Sequence, residues 1–193
     1  MFITRLALQL PDLNRLGIYG ASWTTSSVRV DDIQYLQVFH SITSLHLYKV
    51  TFTNASQLAR LLAALPALIV LIFADVLCTQ GHNVSPIALH FQRGTLLCGR
   101  LHLFDPLAPP VLNLLTHLSV QAGLYSLRLK LNLCSPLTGA EACEKLRMLR
   151  VTASSVRVLT LEMDALEAVS SELDSIGEFL RGTPEFANAV LLR

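Results

Sequence analysis

Charged residues are scarce in this chain of 193 residues, at 15% against about 25% in an average soluble protein. The net charge is only +1, so the sequence lacks the strongly basic character of a typical nucleic-acid-binding domain. Hydrophobic residues make up 52% of the chain and leucine is the commonest of them, which is too much apolar surface for a disordered protein. The composition therefore favours one folded domain and excludes an electrostatic nucleic-acid binder.

The short motifs that mark common catalytic and metal sites are also missing. The sequence has no G-x-S-x-G, P-loop, G-x-G-x-x-G, H-E-x-x-H or C-x-x-C pattern. The four cysteines are Cys78, Cys98, Cys134 and Cys143, and we expect them to be reduced and buried. The pairs Cys78/His82 and Cys98/His102 have a spacing loosely like that of zinc ligands, but we interpret them as buried cysteines and surface histidines. We therefore predict no enzyme activity, no cofactor and no metal.

No targeting or membrane segment is evident either. Arg5 and Arg15 interrupt the N-terminal region, which has no small-residue cleavage site of a signal peptide. The apolar run LLAALPALIVLIFA at residues 61–74 is bounded by Arg60 and Asp75 and is shorter than the ~20 residues that a membrane helix needs. We therefore expect no membrane association, and a cytoplasmic or nuclear location.

Pro66 divides this apolar run into two elements. Proline lacks an amide proton and disfavours helical dihedrals in the residue before it, so a helix should end near Leu65. The helix should begin after Thr53 or Asn54, either of which can cap it. Residues 68–73 are rich in β-branched and aromatic side chains, which favours a buried strand. The prediction is a helix, a proline stop and a strand.

An apolar pattern, Φ-x-x-Φ-x-Φ, recurs along the chain, where Φ is an apolar residue. Its central leucines recur at intervals of about 26–32 positions, typical of a repeat protein, and are Leu16, Leu45, Leu71, Leu101, Leu127 and Leu159. Positions five and seven beyond each are mostly apolar or small, and a proline in the same register places a seventh strand near Ala189. We predict helices at residues 31–39, 110–118, 138–149 and 166–180. Residues 81–99 fit a helix least well.

One strand and one helix in each such interval, with L-x-x-L-x-L strands, resembles the leucine-rich-repeat superfamily. The segments ITSLHLYKVTFTNASQLARLLAALPALIVL and SIGEFLRGTPEF are similar to the long repeats of ribonuclease-inhibitor-like and fungal F-box-associated proteins. The resemblance implies an α/β solenoid over residues 1–193, with a parallel concave sheet, outer helices and about six repeats. Because stacked repeats need caps at both ends, we expect a fragment of a longer array, or association through an exposed end.

The repeat register predicts which residues line the concave face. The candidate partner-binding residues are Tyr19, His46, Tyr48, His102, Phe104, Arg128 and Lys130. Aromatic and arginine side chains commonly anchor protein interfaces, but the same positions in any such sheet expose mixed residues without binding anything. Ile69, Ile72 and Ala74 should form an apolar patch on this face, either as a contact site or as a strip covered by residues 81–99.

The leading functional prediction is a non-enzymatic scaffold that binds a protein partner on the concave face. The resemblance also implies an alternative, the substrate-recognition part of an F-box-type ubiquitin-ligase receptor. In that case ubiquitin-ligase components would be further partners, bound through an N-terminal F-box that we do not find in this sequence. Seven of the fourteen acidic residues lie in the last quarter of the chain, where they indicate a solvated helix or an acidic docking face.

Overall fold

The protein is α/β, with a parallel sheet and helices packed on one side of it. The computed structural model describes residues 12–23, 35–80, 99–107, 109–122, 126–131, 158–163 and 190–192, with Leu10, Asp174, Gly177, Glu178, Arg181 and Gly182. Strands β1 to β8 span Arg15–Tyr19, Ser22–Trp23, Ser44–Phe52, Val70–Cys78, Arg100–Leu107, Ser126–Leu131, Val158–Met163 and Val190–Leu192. Helix α1 spans Ala55–Ala63, helix α2 spans Pro109–Ala122, and a 3-10 turn spans Tyr35–Val38.

The strands pair in parallel in the order β1-β3-β4-β5-β6-β7-β8, and β2 continues beside β3. The central leucines pair along one row: Leu16 with Leu45, Leu45 with Leu71, Leu71 with Leu101, Leu101 with Leu127, and Leu127 with Leu159. This register confirms the alignment predicted from the apolar pattern. In β8 the residue that pairs with Leu159 is Val190, one residue after the predicted position, because the length of a connection is less constrained than a strand register.

Alternation along the strands directs every second side chain toward the helices. The buried strand residues on this side are Leu45, Leu47, Leu71, Phe73, Leu101 and Leu103. They face buried residues of both helices, which are Leu58, Leu61 and Leu62 of α1 and Val111, Leu112, Leu114 and Leu115 of α2. Each such side chain contributes about 1.5–3 kcal/mol when it is removed from water, so this layer is the core that fixes the sheet.

Strands β3 and β4 each contain a bend, at which the alternation of inward-facing and outward-facing side chains changes. Lys49 in β3 and Asp75 in β4 have left-handed backbones, with φ of 53° and 55°, and Gly20 after β1 has φ of 63°. A left-handed residue costs about 1–2 kcal/mol unless it is glycine. The bend lets Lys49 point outward and the next residue, Val50, point inward, where it is fully buried. Burial after the bend therefore offsets the backbone strain.

The start of α1 resolves the two capping alternatives. The side chain of Asn54 accepts a hydrogen bond from the backbone N–H of Gln57 at 3.2 Å, so Asn54 is the cap. Thr53 instead donates its hydroxyl to the carbonyl of Trp23 at 3.1 Å, which ties the loop to β2. The helix ends at Ala63, before Pro66, and the next strand follows. The predicted order of helix, proline stop and strand is confirmed.

The other predicted helices have different outcomes. The segment 110–118 lies in α2, as expected, but the described part of 31–39 forms only the 3-10 turn. The predicted helix at 138–149, residues 81–98 and most of 166–180 lie outside the described residues. Within the last segment, Asp174 and Glu178 are helical, and the N–H of Gly182 donates to the carbonyl of Glu178 at 2.9 Å. Across the described ranges no helix has the length and apolarity to cross a membrane.

Candidate functional site

The front face of the sheet is the face turned away from α1 and α2. Strand register arranges its residues in three rows, which we name by their main side chains. The arginine row contains Arg15, Ser44, Val70, Arg100, Ser126 and Val158. The histidine row contains Gly17, His46, Ile72, His102, Arg128 and Thr160. The aromatic row contains Tyr19, Tyr48, Ala74, Phe104, Lys130 and Glu162.

All seven predicted binding residues fall in two of these rows. Tyr19, Tyr48, Phe104 and Lys130 belong to the aromatic row, while His46, His102 and Arg128 belong to the histidine row. Neighbouring strands lie about 4.8 Å apart, so these positions form one surface across β1, β3, β5 and β6. Strand β4, between β3 and β5, adds Ile72 and Ala74, which were predicted to face outward and are partly exposed.

The aromatic row offers the largest exposed apolar side chains of this surface. Tyr19 and Tyr48 are 67% and 45% exposed, and their ring centroids lie 6.2 Å apart with a tilt of 48°. The ammonium of Lys49 lies 5.4 Å from the centroid of the Tyr48 ring, within cation–π range. Ala74 presents only a methyl group between Tyr48 and Phe104. A partner side chain can therefore enter above Ala74, between the two aromatic residues.

The ring of Tyr19 folds back over Gly17. A Cβ atom added at Gly17 would lie 2.6 Å from Cε2 of Tyr19, closer than non-bonded carbon atoms approach. The absence of a side chain at Gly17 therefore gives the Tyr19 ring its place. As a result, Tyr19 covers the β1 end of the histidine row as well as its own position in the aromatic row.

The histidine row carries two imidazoles on either side of Ile72. Burial lowers the pKa of His46, and the positive charge of Arg15 lowers it further. Burial also lowers the pKa of His102, with additional contributions from Arg128, Arg100 and His46. Both side chains are consequently neutral at pH 7. Each neutral ring has one donor and one acceptor nitrogen, so the row can exchange hydrogen bonds of both kinds with a bound chain.

Ser44 and His46 have the separation of a nucleophile and its base, with Oγ and Nε2 3.0 Å apart. A working pair also needs a base with a suitable pKa and usually a third group that orients the imidazole. The charged neighbour that affects the pKa of His46 is Arg15, which disfavours the imidazolium that a general base must form. The pair is better explained as a hydrogen bond that holds the His46 ring on the front face.

The arginine row is not among the binding residues predicted from the sequence. Arg15 and Arg100 each stand one position before a central leucine, and both are exposed. The repeat register could have revealed them, because the position before a buried strand residue faces the same side as the position after it.

The predicted absence of a metal site concerns residues that are only partly described. Within the described ranges no group of three or more histidine, cysteine or acidic side chains is arranged to hold a metal ion. Cys78 is a free thiol and is half-buried, and burial raises its pKa to about 11. His82, which the sequence spacing pairs with Cys78, and Cys98, which it pairs with His102, lie outside the described residues. Cys78 is therefore a protonated, weakly nucleophilic thiol at pH 7.

Comparison with protein-family models, with curated proteins and with solved structures found no match to this chain.

Proposed function

We propose that this protein is a non-enzymatic binding module that holds a protein partner on the front face of its sheet. The observation that carries the proposal is the aromatic row, in which Tyr19 and Tyr48 pair on neighbouring strands and Phe104 lies in the same row beyond Ala74 of β4. Tyrosine side chains contribute large contact areas at low entropic cost, and they are enriched at protein interfaces. The histidine row beside them adds directional hydrogen-bonding groups.

The architecture that we propose for this module is a leucine-rich-repeat-like solenoid with the front face on its concave side. The central leucines, which recur at near-regular intervals and pair in register, support this architecture. The arrangement of α1 and α2 on the opposite side of the sheet supports it too. In such an array each repeat stacks only on its neighbours, so the sheet presents a long surface rather than a closed pocket.

The direct test is capture of a partner from native extract by the full chain and by a triple variant. The variant carries Tyr48→Ala, His102→Ala and Arg128→Ala, which remove one anchor from each of three strands. The matched control is Arg60→Ala, because Arg60 is exposed on α1, on the opposite side of the molecule.

We expect the triple variant to lose a partner that the wild type and the control both retain, with all three proteins giving the same circular dichroism spectrum. Retention of every captured protein by a correctly folded triple variant would rule out the front face as the binding surface.

A further inference from the structure

In two of the three rows of the front face, every charged residue is basic. Neither the arginine row nor the histidine row contains an acidic residue. Arg15 and Arg100 lie in the first row and Arg128 lies in the second, on the strand next to Arg100. The acidic residues of the first five strands are Asp75 and Asp105, and each follows the aromatic-row residue of its strand.

The direction of the pKa shifts of the two histidines agrees with a positive potential in this region. Burial is the largest cause of the lowered pKa of His102, and Arg128 and Arg100 lower it further; at His46 the charge of Arg15 adds to the effect of burial. A nearby positive charge disfavours the imidazolium form, so the arginine charges reach the surface between the two rows. An anion placed over the histidine row would be attracted by the same charges.

We propose that the partner segment is an acidic peptide with an aromatic or aliphatic side chain next to its carboxylates. This inference rests on the proposed function and names the chemistry of the partner. The carboxylates face Arg100 and Arg128, whose planar guanidinium groups suit paired hydrogen bonds to carboxylate oxygens. The apolar side chain enters above Ala74, between Tyr48 and Phe104, and contacts Ile72.

The spacing of the rows fits one extended chain. Residues of the histidine and aromatic rows on the same strand are two positions apart, which is about 6.5 Å in an extended backbone. Alternate residues of an extended peptide are separated by the same distance. A peptide that lies along a strand can therefore place an apolar group over the aromatic row and an acidic group nearer to the arginines.

The inference can be tested with short synthetic peptides and fluorescence anisotropy. The probe is a fluorescein-labelled peptide in which glutamate and tyrosine alternate at every second position with serine between them, so both side chains lie on one face of the extended peptide. It is titrated with the full chain. Three controls of the same length keep the intervening serines and replace every glutamate by lysine, every glutamate by glutamine, or every tyrosine by serine. We expect each control to bind at least about tenfold more weakly than the probe. Raising the ionic strength from about 0.1 M to about 1 M should weaken the probe complex, because the screening length falls from about 10 Å to about 3 Å.

Variants of the protein locate the interaction. Arg100→Gln combined with Arg128→Gln should weaken the probe at least about tenfold. Arg100→Lys combined with Arg128→Lys keeps the charge and should recover part of this loss. The control Arg60→Gln removes one positive charge from the exposed surface of α1 and should leave the affinity unchanged.

The outcomes separate this inference from the function on which it rests. Equal binding of the glutamine–tyrosine peptide, lost on Tyr48→Ala, would overturn the acidic partner while supporting a binding front face. Binding of the lysine–tyrosine peptide as tightly as the probe, or no binding of the probe, would also overturn it. Full affinity in the double glutamine variant would have the same consequence. The capture experiment with the triple variant uses no synthetic probe, so it tests the binding function of the front face independently of the acidic peptide.

Discussion

Replacing Phe73 by alanine should destabilise the fold far more than the same change at its neighbour Ile72. Phe73 is fully buried between the sheet and the helices, whereas Ile72 is partly exposed on the front face. Truncation of a buried phenylalanine to alanine costs about 3–5 kcal/mol, since it removes transfer free energy and leaves a cavity. For Ile72 we expect a smaller cost, about 1 kcal/mol, because part of its surface already contacts solvent.

Urea unfolding followed by fluorescence measures both changes. The chain has one tryptophan, Trp23, which packs edge-on against Phe52 at 5.0 Å and should report loss of the sheet. Midpoints should fall for Phe73→Ala with little change in slope, since the surface exposed on unfolding is nearly the same. Equal costs at the two positions, or a larger cost at Ile72, would refute the assignment of strand faces on which the site depends.

Three further predictions concern the bend, the histidines and the thiol. Lys49→Gly should stabilise the fold by up to about 1 kcal/mol in thermal unfolding and Lys49→Val should destabilise it, because φ at this position is 53°; a more stable valine variant would contradict the bend. The pKa values of His46 and His102 are lowered by burial in the folded protein, so below about pH 6.5 the unfolded chain binds more protons than the folded chain. Unfolding free energy should then fall as pH drops through this range, and less steeply in a variant with glutamine at both positions; an unchanged pH profile would contradict this. Since the pKa of Cys78 is about 11, mass spectrometry should find this thiol slow to alkylate at pH 7 in the folded protein and faster in urea, and rapid native labelling would count against its burial.

The strand register was predictable because burial imposes it. Leu45 and Leu71 pair as their sequence pattern indicated, since a shift of one residue would turn both leucines toward solvent. The end of α1 before Pro66 was equally predictable, because proline cannot continue the helix. Once the register was known, the membership of His46 and Tyr48 in the front face followed from alternation.

The bends were not predictable from residue type. A left-handed backbone is ordinary for Gly20 but not for Lys49 or Asp75, so neither of these residues marked its own conformation. Val50 and Val76, which follow the two bends, are fully buried, and this tertiary burial selects the bend. The register between β4 and β5 also shifts by one residue after the bend: Ala74 pairs with Phe104, whereas Val76 pairs with Leu107.

Side-chain arrangement within the site also required the structure. The sequence placed Tyr19 on the front face but gave no sign that its ring lies across Gly17. The hydrogen bond between Ser44 and His46 and the contact of Lys49 with the ring of Tyr48 likewise depend on local rotamers. The positive potential became visible when the register placed Arg100 beside the row that contains Arg128.

Site-specific photo-crosslinking shows which face of the molecule touches the partner, and so distinguishes the front face from the helical side. A photoreactive phenylalanine analogue replaces Tyr48 on the front face in one protein and Arg60 on α1 in another, both exposed positions. We expect the partner captured by the wild-type chain to be crosslinked from position 48 and not from position 60. Crosslinking from position 60 alone, or equally from both, would contradict it.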